Sequence, residues 1–379
     1  MLRLTDRGLY CNAADCYIDP WAPVPRALIT HAHGDHLTWG CDAYLLASPG
    51  KLVARERLGQ YADRIETIEY GATRLINGVR ISFHPAGHIL GSAQIRIEHA
   101  GEVWVASGDY KTDPDPTCAP WEPVRCHTFI TESTFGLPIY RWPSQQTVFD
   151  EINAWWRDNA NDGRVSLLYG YALGKAQRML AGLDPSIGPI LTHGAVEKMT
   201  QCYRDAGVAL PPTTYATLAE TTGSKSTANA RRDALSGAIV IAPPSADGST
   251  WARRFGNYSA AFASGWMQVR GARRRRTVDR GFVLSDHVDW PQLLSAISVT
   301  GAERVWVTHG FTGPVVRWLT EQGLDARAIA TRFEGERDDA ADDAKVDATD
   351  DAKVDAKVDA TTDTPQSSQT NAAAPEPLA

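Results

Sequence analysis

From the N-terminus to residue 135, short apolar stretches with strand periodicity alternate with turn residues. Residues 94–98 alternate polar and apolar side chains, His99-Ala100-Gly101 is typical of a turn, and residues 102–106 continue as an apolar strand. This pattern predicts a β-hairpin, and residues 79–83 and 127–131 predict two further strands. The first part of the chain is therefore predicted to be rich in β-structure with short turns.

The pattern changes in the middle of the chain. Residues 165–169 form a continuous apolar run typical of a buried strand, and residues 174–183 predict a helix that opens with a glycine. Alternation of strands and helices is typical of an α/β module. The remaining predicted elements are a helix at 197–206, strands at 238–242, 282–284 and 304–308, and a helix at 314–322 with proline in its first turn.

These elements divide the chain into four predicted segments. Because the strand pattern of the first segment resumes near residue 280, the α/β module is predicted to interrupt a β-rich domain. The segments are 1–137 (first part of the β-rich domain), 138–282 (insert), 283–335 (return of the β-rich domain) and 336–379 (tail).

Charge is distributed unevenly along the 379 residues. The whole chain carries 38 basic and 45 acidic residues, a net charge of −7. The segment 336–379 holds 12 acids and 4 bases, which leaves 34 bases and 33 acids, or +1, for residues 1–335. The tail is built from near-repeats of Asp, Ala, Lys and Val, cannot bury enough apolar surface to fold, and is predicted to be disordered. A tail that interacts with partners is the alternative.

Composition limits the protein class. With 43% apolar and 22% charged residues, the chain is long enough and apolar enough for a sizeable core. We find no apolar signal region at the N-terminus and no apolar run long enough to span a membrane, and we expect a cytoplasmic protein. The six scattered cysteines do not form a C-x-x-C pair, so we expect reduced thiols.

The densest group of functional side chains is the run His-Ala-His-Gly-Asp-His, which directly follows an apolar stretch at 27–30. In an extended segment, residues i and i+2 point to the same side, so His31 and His33 can bind one ion. Gly34 then lets the backbone turn, so that Asp35 and His36 face a second position. Nitrogen and oxygen donors of this kind suit divalent metals and would be costly in an apolar core.

Two more candidate ligands occupy the same kind of position. His88 follows the strand that ends at residue 83, and Asp109 follows the strand that ends at residue 106, each beside a glycine. A single histidine or aspartate at a strand end is more often a turn or capping residue. Their shared position favours a role in the same site as the histidine run.

These residues resemble the motifs of the metallo-β-lactamase superfamily, in which an acid such as Asp19 orients the metal-binding loop. Three further segments resemble motifs A, B and C of the β-CASP nucleases: Thr-Glu-Ser-Thr-Phe-Gly at 131–136, Leu-Ser-Asp-His-Val-Asp at 284–289, and Val-Thr-His-Gly at 307–310. Residues 171–177 are similar to a glycine-containing signature of the inserted β-CASP domain. The resemblance implies an α/β fold: a metallo-β-lactamase αββα sandwich with an inserted α/β β-CASP-like domain, followed here by the disordered acidic tail.

The resemblance also implies two divalent metal ions, Zn²⁺ in preference to Mn²⁺, and a water-derived nucleophile between them that attacks a phosphodiester. His287 would donate a proton to the leaving oxygen, and Glu132 would hold that histidine in its cationic form. An ordinary surface ion pair is the alternative for these two residues. The implied ligands are His31, His33, His88 and Asp109 for one ion, and Asp35, His36, Asp109 and His309 for the other, with Asp109 bridging.

The region 253–280 is strongly basic, with eight arginines against one acid and several interleaved aromatic residues. Arginines bind phosphates and aromatic rings stack on unpaired bases, so the region is a candidate nucleic-acid surface. The alternative is a solvated basic face. Among the aromatic residues, Trp251 and Trp266 are the candidate stacking platforms. The arginines are Arg253, Arg254, Arg270, Arg273, Arg274, Arg275, Arg276 and Arg280.

Within the β-CASP nucleases, the chain most resembles the bacterial ligase-associated DNA exonucleases. This resemblance rests on the amino-acid sequence at residues 4–11 and 28–36. That resemblance implies DNA as substrate, with an ATP-dependent DNA ligase and a helicase as partners. His309 points the other way, because it matches RNA-cleaving members at motif C. Two alternatives remain. A metallo-hydrolase that acts on small molecules would not need motifs A and B. An inactive scaffold subunit would be expected to have lost metal ligands.

Overall fold

The computed structural model describes residues 1–216, 235–269 and 278–331, and these residues form three β-sheets. Six of the described strands form the first sheet, in the order β1 to β6. Strands β3 to β6 are parallel, and β1 and β2 join them as an antiparallel hairpin edge. The strands are β1 Leu2–Thr5, β2 Gly8–Cys11, β3 Cys16–Ile18, β4 Ala27–Leu28, β5 Tyr44–Ala47 and β6 Ile65–Ile68.

The second sheet joins strands from two distant parts of the chain. Its order in the described residues is β19-β18-β11-β10-β9-β8-β7, so the strands of the return segment extend a sheet begun in the first 135 residues. Strands β10, β11, β18 and β19 are parallel, whereas β7 to β10 are antiparallel neighbours. The strands are β7 Thr73–Ile76, β8 Val79–Pro85, β9 Ala93–His99, β10 Glu102–Ala106, β11 Thr128–Ser133, β18 Arg304–Gly310 and β19 Asp325–Ala328.

Four layers follow from the way these two sheets bury their apolar faces. Leu28 and Leu45 of the first sheet share one core with Ile95 and Ile97 of the second, so the sheets pack face to face. The outer face of the first sheet packs on helix α1, and the outer face of the second packs on helices α6 and α7. This is a helix–sheet–sheet–helix sandwich. The helices are α1 Lys51–Leu58, α6 Trp290–Thr300 and α7 Thr312–Glu321.

The third sheet takes all of its described strands from within the predicted insert, in the order β14-β13-β15-β12-β16-β17, and all of them are parallel. Helices α2 to α4 cover one face of this sheet. The strands are β12 Val165–Tyr169, β13 Ile190–Thr192, β14 Thr214–Tyr215, β15 Ile239–Ala242, β16 Tyr258–Ala263 and β17 Arg280–Phe282. The helices are α2 Gln145–Asn161, α3 Lys175–Ala181, α4 Gly194–Asp205 and α5 Thr250–Arg253, and short 3₁₀ helices lie at Ser48–Gly50, Gly59–Arg64, Pro244–Ala246 and Gly265–Gln268.

The structure confirms the predicted hairpin and the buried strand at 165–169, and the overall fold is mixed α/β as expected. The prediction of strands and turns before residue 135 is wrong at helix α1, in which half of the residues are polar and only Val53, Ala54 and Leu58 are buried. Helices α2 and α6 are also absent from the prediction. Helix α2 carried a detectable signal, because its buried residues recur at helical spacing from Val148 to Trp156.

Some predictions fall outside the described residues: the disordered tail at 336–379, and Arg270 and Arg273 to Arg276 of the basic region. All six cysteines lie within the described ranges and are free thiols. Among the described helices, none combines the length and the apolar composition that a membrane crossing requires.

A close approach of two glycines holds the loop that carries His88 against the first sheet. A side chain on Gly91 would place its Cβ 2.1 Å from the Cα and the nitrogen of Gly50, which follows strand β5. We expect Gly91→Ala to lower the free energy of unfolding by about 3 kcal/mol, because both backbone strain and overpacking contribute. Chemical denaturation measures the loss.

Gly78→Ala is the matched control. Gly78 has nearly the same backbone φ, +80° against +78°, but nothing lies within 4 Å of its Cβ position. The free energy of unfolding of this control should fall only by the strain contribution of about 1 kcal/mol. Equal losses of the free energy of unfolding in the two variants would contradict the close approach of Gly91 to Gly50.

Candidate metal centre

The candidate site lies where several strands of the two sandwich sheets end. Strands β8 and β10 are both antiparallel to β9, and β11 and β18 are parallel to β10, so these four strands finish at the same edge. His88, Asp109, Glu132 and His309 lie at or just after those ends. The facing edge of the first sheet supplies the loop that follows β4 and carries His31 to His36. The fold therefore brings together all nine predicted metal and proton-donor positions.

Three imidazoles form a tight buried cluster. The Nδ1 atom of His33 lies 3.1 Å from Nε2 of His31 and 3.1 Å from Nε2 of His88. Each of the three side chains is less than 5% exposed. Together with Asp109, they form a group whose ligand atoms lie within 4.8 Å of one another, which is the predicted ligand set of one ion.

The outer partners of this cluster determine which nitrogen carries a proton. Nε2 of His33 lies 3.2 Å from the carbonyl oxygen of Leu173, and Nδ1 of His88 lies 2.9 Å from the carbonyl oxygen of Asp286. A carbonyl only accepts hydrogen bonds, so each ring donates outward from that nitrogen. Its other nitrogen then presents a lone pair to the cluster.

Asp19 has the same effect on the histidine run. The carboxylate accepts hydrogen bonds from the Thr30 hydroxyl at 2.6 Å and from Nδ1 of His36 at 2.8 Å. Because the Thr30 proton is directed to Asp19, its oxygen is free to accept from Nδ1 of His31 at 3.1 Å. Nε2 of both histidines therefore faces inward. Asp19 thus holds the histidine run through Thr30 and His36.

A second group of donors lies beside the first. Nε2 of His36 is 3.5 Å from Oδ2 of Asp35 and 3.5 Å from Oδ2 of Asp109, and His309 contacts Asp109 at 3.0 Å. His31, Asp35 and His36 have ligand atoms close enough to share an ion, and Asp109 lies between the two groups. The predicted second ligand set is therefore gathered in one place, with Asp109 central to both.

The donor set fits divalent metal ions. A tetrahedral ion with nitrogen ligands at about 2.05 Å separates those nitrogens by about 3.3 Å, close to the 3.1 Å spacing within the cluster. Oδ1 of Asp35 is buried and has no hydrogen-bond partner among the described residues, as expected of an atom reserved for a ligand. Burial and neighbouring imidazoles keep the pKa of His33 well below its usual value and lower the pKa of His88 to about 4, so both rings stay neutral and able to coordinate.

Glu132 and His287 form a buried pair next to the cluster. Nδ1 of His287 lies 2.9 Å from Oε2 of Glu132, both residues are 1% exposed, and the rings of His287 and His88 have centroids 4.7 Å apart. The alternative of a surface ion pair is therefore wrong. Burial lowers the pKa of His287, but the Glu132 carboxylate outweighs it and raises the pKa to about 10. Divalent ions on the neighbouring ligands would act in the opposite direction.

Two residues of the site were not assigned a role from the sequence. Asp286 precedes His287 and binds the ammonium of Lys175 at 2.5 Å, and Lys175 has no exposed surface. Both lie inside segments quoted for the family resemblance. The residue order did not mark Lys175, because Gln177 and Arg178 follow it in the same polar turn; its burial does, because lysine is almost never fully buried unless it is paired.

A cavity of about 590 Å³ lies beside His309 and is lined by Thr134, Trp266, Phe311 and residues 328–331. Trp266 packs on Phe135, with ring centroids 4.8 Å apart, and its position at this cavity agrees with a stacking role. Trp251 lies elsewhere, against His193.

The part of the basic region that the structure describes contains Arg253, Arg254 and Arg280, and all three are exposed. The interleaved Phe255 and Phe262 are buried in the core of the insert, so these two rings are not available for stacking.

We expect the purified full-length chain to hold about two divalent ions, and Asp109→Asn to lower the affinity for both, because Asp109 adjoins both groups of donors. Elemental analysis after equilibrium dialysis against Zn²⁺ measures the content. His84→Ala is the control, since His84 pairs with Glu122 outside the candidate site. Unchanged metal content in Asp109→Asn would contradict a bridging role.

Comparison with known proteins gives several relatives. A probable DNA ligase of Opitutus terrae is 33% identical over 326 residues, which cover 85% of this chain and 30% of the relative. An endoribonuclease of Kluyveromyces lactis is 36% identical over 140 residues, or 36% of this chain and 18% of the relative. Cleavage and polyadenylation specificity factor 73 of Drosophila melanogaster is 28% identical over 181 residues, or 46% of this chain and 26% of the relative.

The chain thus spans less than a third of the length of each of these relatives. No family model matches the chain. The similarity to nucleases and the gathered histidine and aspartate ligands agree with the motif resemblance described above. Together they show similarity to nucleases over part of the chain and a buried group of potential metal ligands.

Proposed function

We propose that this chain is a metal-dependent phosphodiesterase that hydrolyses DNA, acting as an exonuclease in DNA repair beside an ATP-dependent DNA ligase and a helicase. The observation that carries the proposal is the position of His287. A histidine paired with a buried carboxylate lies directly against a ligand set for divalent metals, with 4.7 Å between the ring centroids of His287 and His88.

The chemistry divides between the metal ligands and the Glu132–His287 pair. When bound, the two ions supply an activated water and neutralise charge on the phosphate. Their ligands are His31, His33, Asp35, His36, His88, Asp109 and His309, as predicted from the motifs. The working ion is proposed to be Zn²⁺.

His287 supplies what the metal ligands do not. Its Nδ1 is engaged by Glu132, so Nε2 is the atom that delivers a proton to the leaving oxygen. Glu132 is itself held by the backbone N–H of Tyr110 at 2.9 Å, which fixes the carboxylate and hence the histidine ring. A hydrolase of small acyl compounds would have no use for this buried pair.

Support for DNA comes from the Opitutus terrae relative. Similarity to a protein named as a probable DNA ligase extends over 85% of this chain but only 30% of that relative, so the ligase-named protein has ample length for a further activity. A nuclease unit in such a protein would act on the same nucleic acid. The exposed Arg253, Arg254 and Arg280 supply positive charge for phosphate contacts.

Hydrolysis of RNA is the second candidate, and two observations favour it. His309 contacts Asp109 at 3.0 Å, as the motif C histidine of RNA-cleaving members would. Relatives named as endoribonucleases match about a third of this chain. An RNA-processing ribonuclease would use the same metal ligands and the same proton donor.

We expect end-labelled single-stranded DNA to be cleaved, with matched RNA of the same sequence cleaved more slowly. Asp35→Ala should abolish cleavage, and His287→Ala should slow it by roughly 10²–10⁴-fold, the usual contribution of a general acid. His127→Ala is the control, because His127 is exposed and its side chain only accepts a hydrogen bond from the backbone N–H of Val103 in the described contacts. Gel analysis of the labelled products measures the rates.

Cleavage retained in Asp35→Ala would contradict the two-metal site. Equal rates on RNA and DNA would contradict the repair assignment, and a preference for RNA would establish the second candidate instead.

The basic region generates a separate prediction. Replacing Arg273 to Arg276 with alanine should weaken DNA binding and reduce the slope of log affinity against log salt by about 3, because up to four phosphate contacts are lost. Fluorescence anisotropy at several salt concentrations measures the slope. Arg317→Ala is the control, since this exposed arginine pairs with Glu321 on helix α7. An unchanged slope would show that the basic region takes no part in binding.

A further inference from the structure

The insert reaches into the metal centre through one short segment, residues 171–178, which we call the organising segment. It leads from strand β12 into helix α3 and is buried throughout. Leu173 packs in the same core cluster as Ile29, Ala32 and Ile89, which flank the histidine ligands in the sequence. The insert therefore contacts the loops that carry the histidine ligands, which we call the metal loops.

Gly174 makes this approach possible. Its backbone φ is +84°, and a Cβ at this position would lie 2.2 Å from Cγ2 of Ile89, the residue after His88. Oε1 of Gln177 accepts a hydrogen bond from the Gly174 N–H at 2.7 Å, and Nε2 of Gln177 donates to the carbonyl oxygen of Ala172 at 3.1 Å. Bonds on both sides of Leu173 fix the direction in which its carbonyl points.

That carbonyl points at His33. The 3.2 Å contact with Nε2 is the one that leaves the lone pair of Nδ1 directed into the cluster. The acceptor belongs to the insert and lies 140 residues away from His33 in the sequence. The ring orientation of one predicted ligand is thus set by the main chain of the insert.

Lys175 controls a second ligand through Asp286. The buried Lys175 ammonium contacts Oδ1 of Asp286 at 2.5 Å and the carbonyl oxygen of Leu284 at 3.4 Å. These contacts hold the turn in which the carbonyl of Asp286 accepts from Nδ1 of His88, and in which His287 follows.

Arg178 completes the set of contacts. One of its amino groups lies 3.3 Å from the carbonyl oxygen of His88, while its Nε pairs with Asp115 at 2.7 Å.

We propose that the organising segment is part of the metal centre: the Leu173 carbonyl and the Lys175–Asp286 pair position His33 and His88, so that metal affinity depends on the insert. Lys175 is therefore a positioning residue, acting through Asp286 and touching no substrate. Outer hydrogen-bond partners of metal-ligating histidines typically change metal affinity by 10–100-fold when they are removed. This inference rests on the proposed function only in taking the histidine cluster to be a metal site.

The test compares metal affinities of full-length variants, measured by competition with a chromophoric chelator for Zn²⁺, together with the absorption spectrum of the Co²⁺-loaded protein. Lys175→Met removes the ammonium but keeps the apolar stem. We expect it to bind the ion held by His33 and His88 about 10–100-fold less tightly and to alter the Co²⁺ spectrum. Lys175→Arg should recover part of the affinity, because a cation remains beside Asp286.

A buried aspartate without its partner could also unfold the protein, so a second variant separates folding from positioning. The double variant Lys175→Met/Asp286→Asn removes both charges, retains the Asp286 main-chain carbonyl, and should regain thermal stability while its metal affinity stays low. Glu197→Gln is the matched control, because it removes the charge from the 3.1 Å pair with Arg204, which lies within the insert and includes no residue of the organising segment or the metal loops. It should leave metal affinity unchanged.

The outcomes distinguish this inference from the proposed function. If a folded Lys175→Met variant or the double variant kept the wild-type Zn²⁺ affinity and Co²⁺ spectrum, the positioning role alone would be overturned. A wild-type chain that binds metal, with weakened binding in the variants, but cleaves no nucleic acid would overturn the proposed function and leave this inference supported. A wild-type chain that binds no divalent metal would overturn both.

Discussion

The rest of this structure depends on one constraint: the lone pairs of buried imidazoles face one another. His33 and His88 direct unprotonated nitrogens at each other across 3.1 Å, and the outer partner of each ring prevents it from turning away. Neutral donors crowded in this way repel unless a cation lies between them. Burial strengthens this effect, because it disfavours protonation as a way to relieve the repulsion.

The two-sheet sandwich provides the positions from which these side chains meet. Strands β8, β10, β11 and β18 end at one edge, which places ligands from four separate parts of the chain on a rigid frame. Face-to-face packing of the two sheets brings the loop after β4 to the same edge. Rigid strands suit a metal centre, since small displacements of a ligand weaken coordination. Asp19, with backbone φ +41°, anchors that loop through Thr30 and His36.

The insert contributes more than a covering surface. Its sheet and helices form separate cores, yet its organising segment lies against the metal loops, and the fully buried Lys175–Asp286 pair joins the two parts. A buried ion pair contributes little net stability when desolvation is counted, so we infer that this pair serves to fix one geometry. The same turn also presents His287 to Glu132, so the proposed metal ligation and the proposed proton donation depend on one short stretch of chain.

The sequence alone determined the chemistry of the site. The spacing of His31, His33 and His36 makes two donor positions from one loop, and local periodicity located the strands whose ends carry His88 and Asp109. These are short-range properties, and for that reason they are visible in the residue order. The prediction from residue order missed the helices at 51–58 and 145–161, because polar residues outnumber buried residues in both.

Only the tertiary structure decided which histidine nitrogens face the centre of the cluster and which residues hold them there. The partners of His33 and His88 are main-chain carbonyls of Leu173 and Asp286, 140 and 198 residues away in the sequence. Every residue has a carbonyl, so no side-chain pattern marks these two. Their role arises from the packing of the insert against the sandwich, which brings distant backbone atoms within hydrogen-bonding distance.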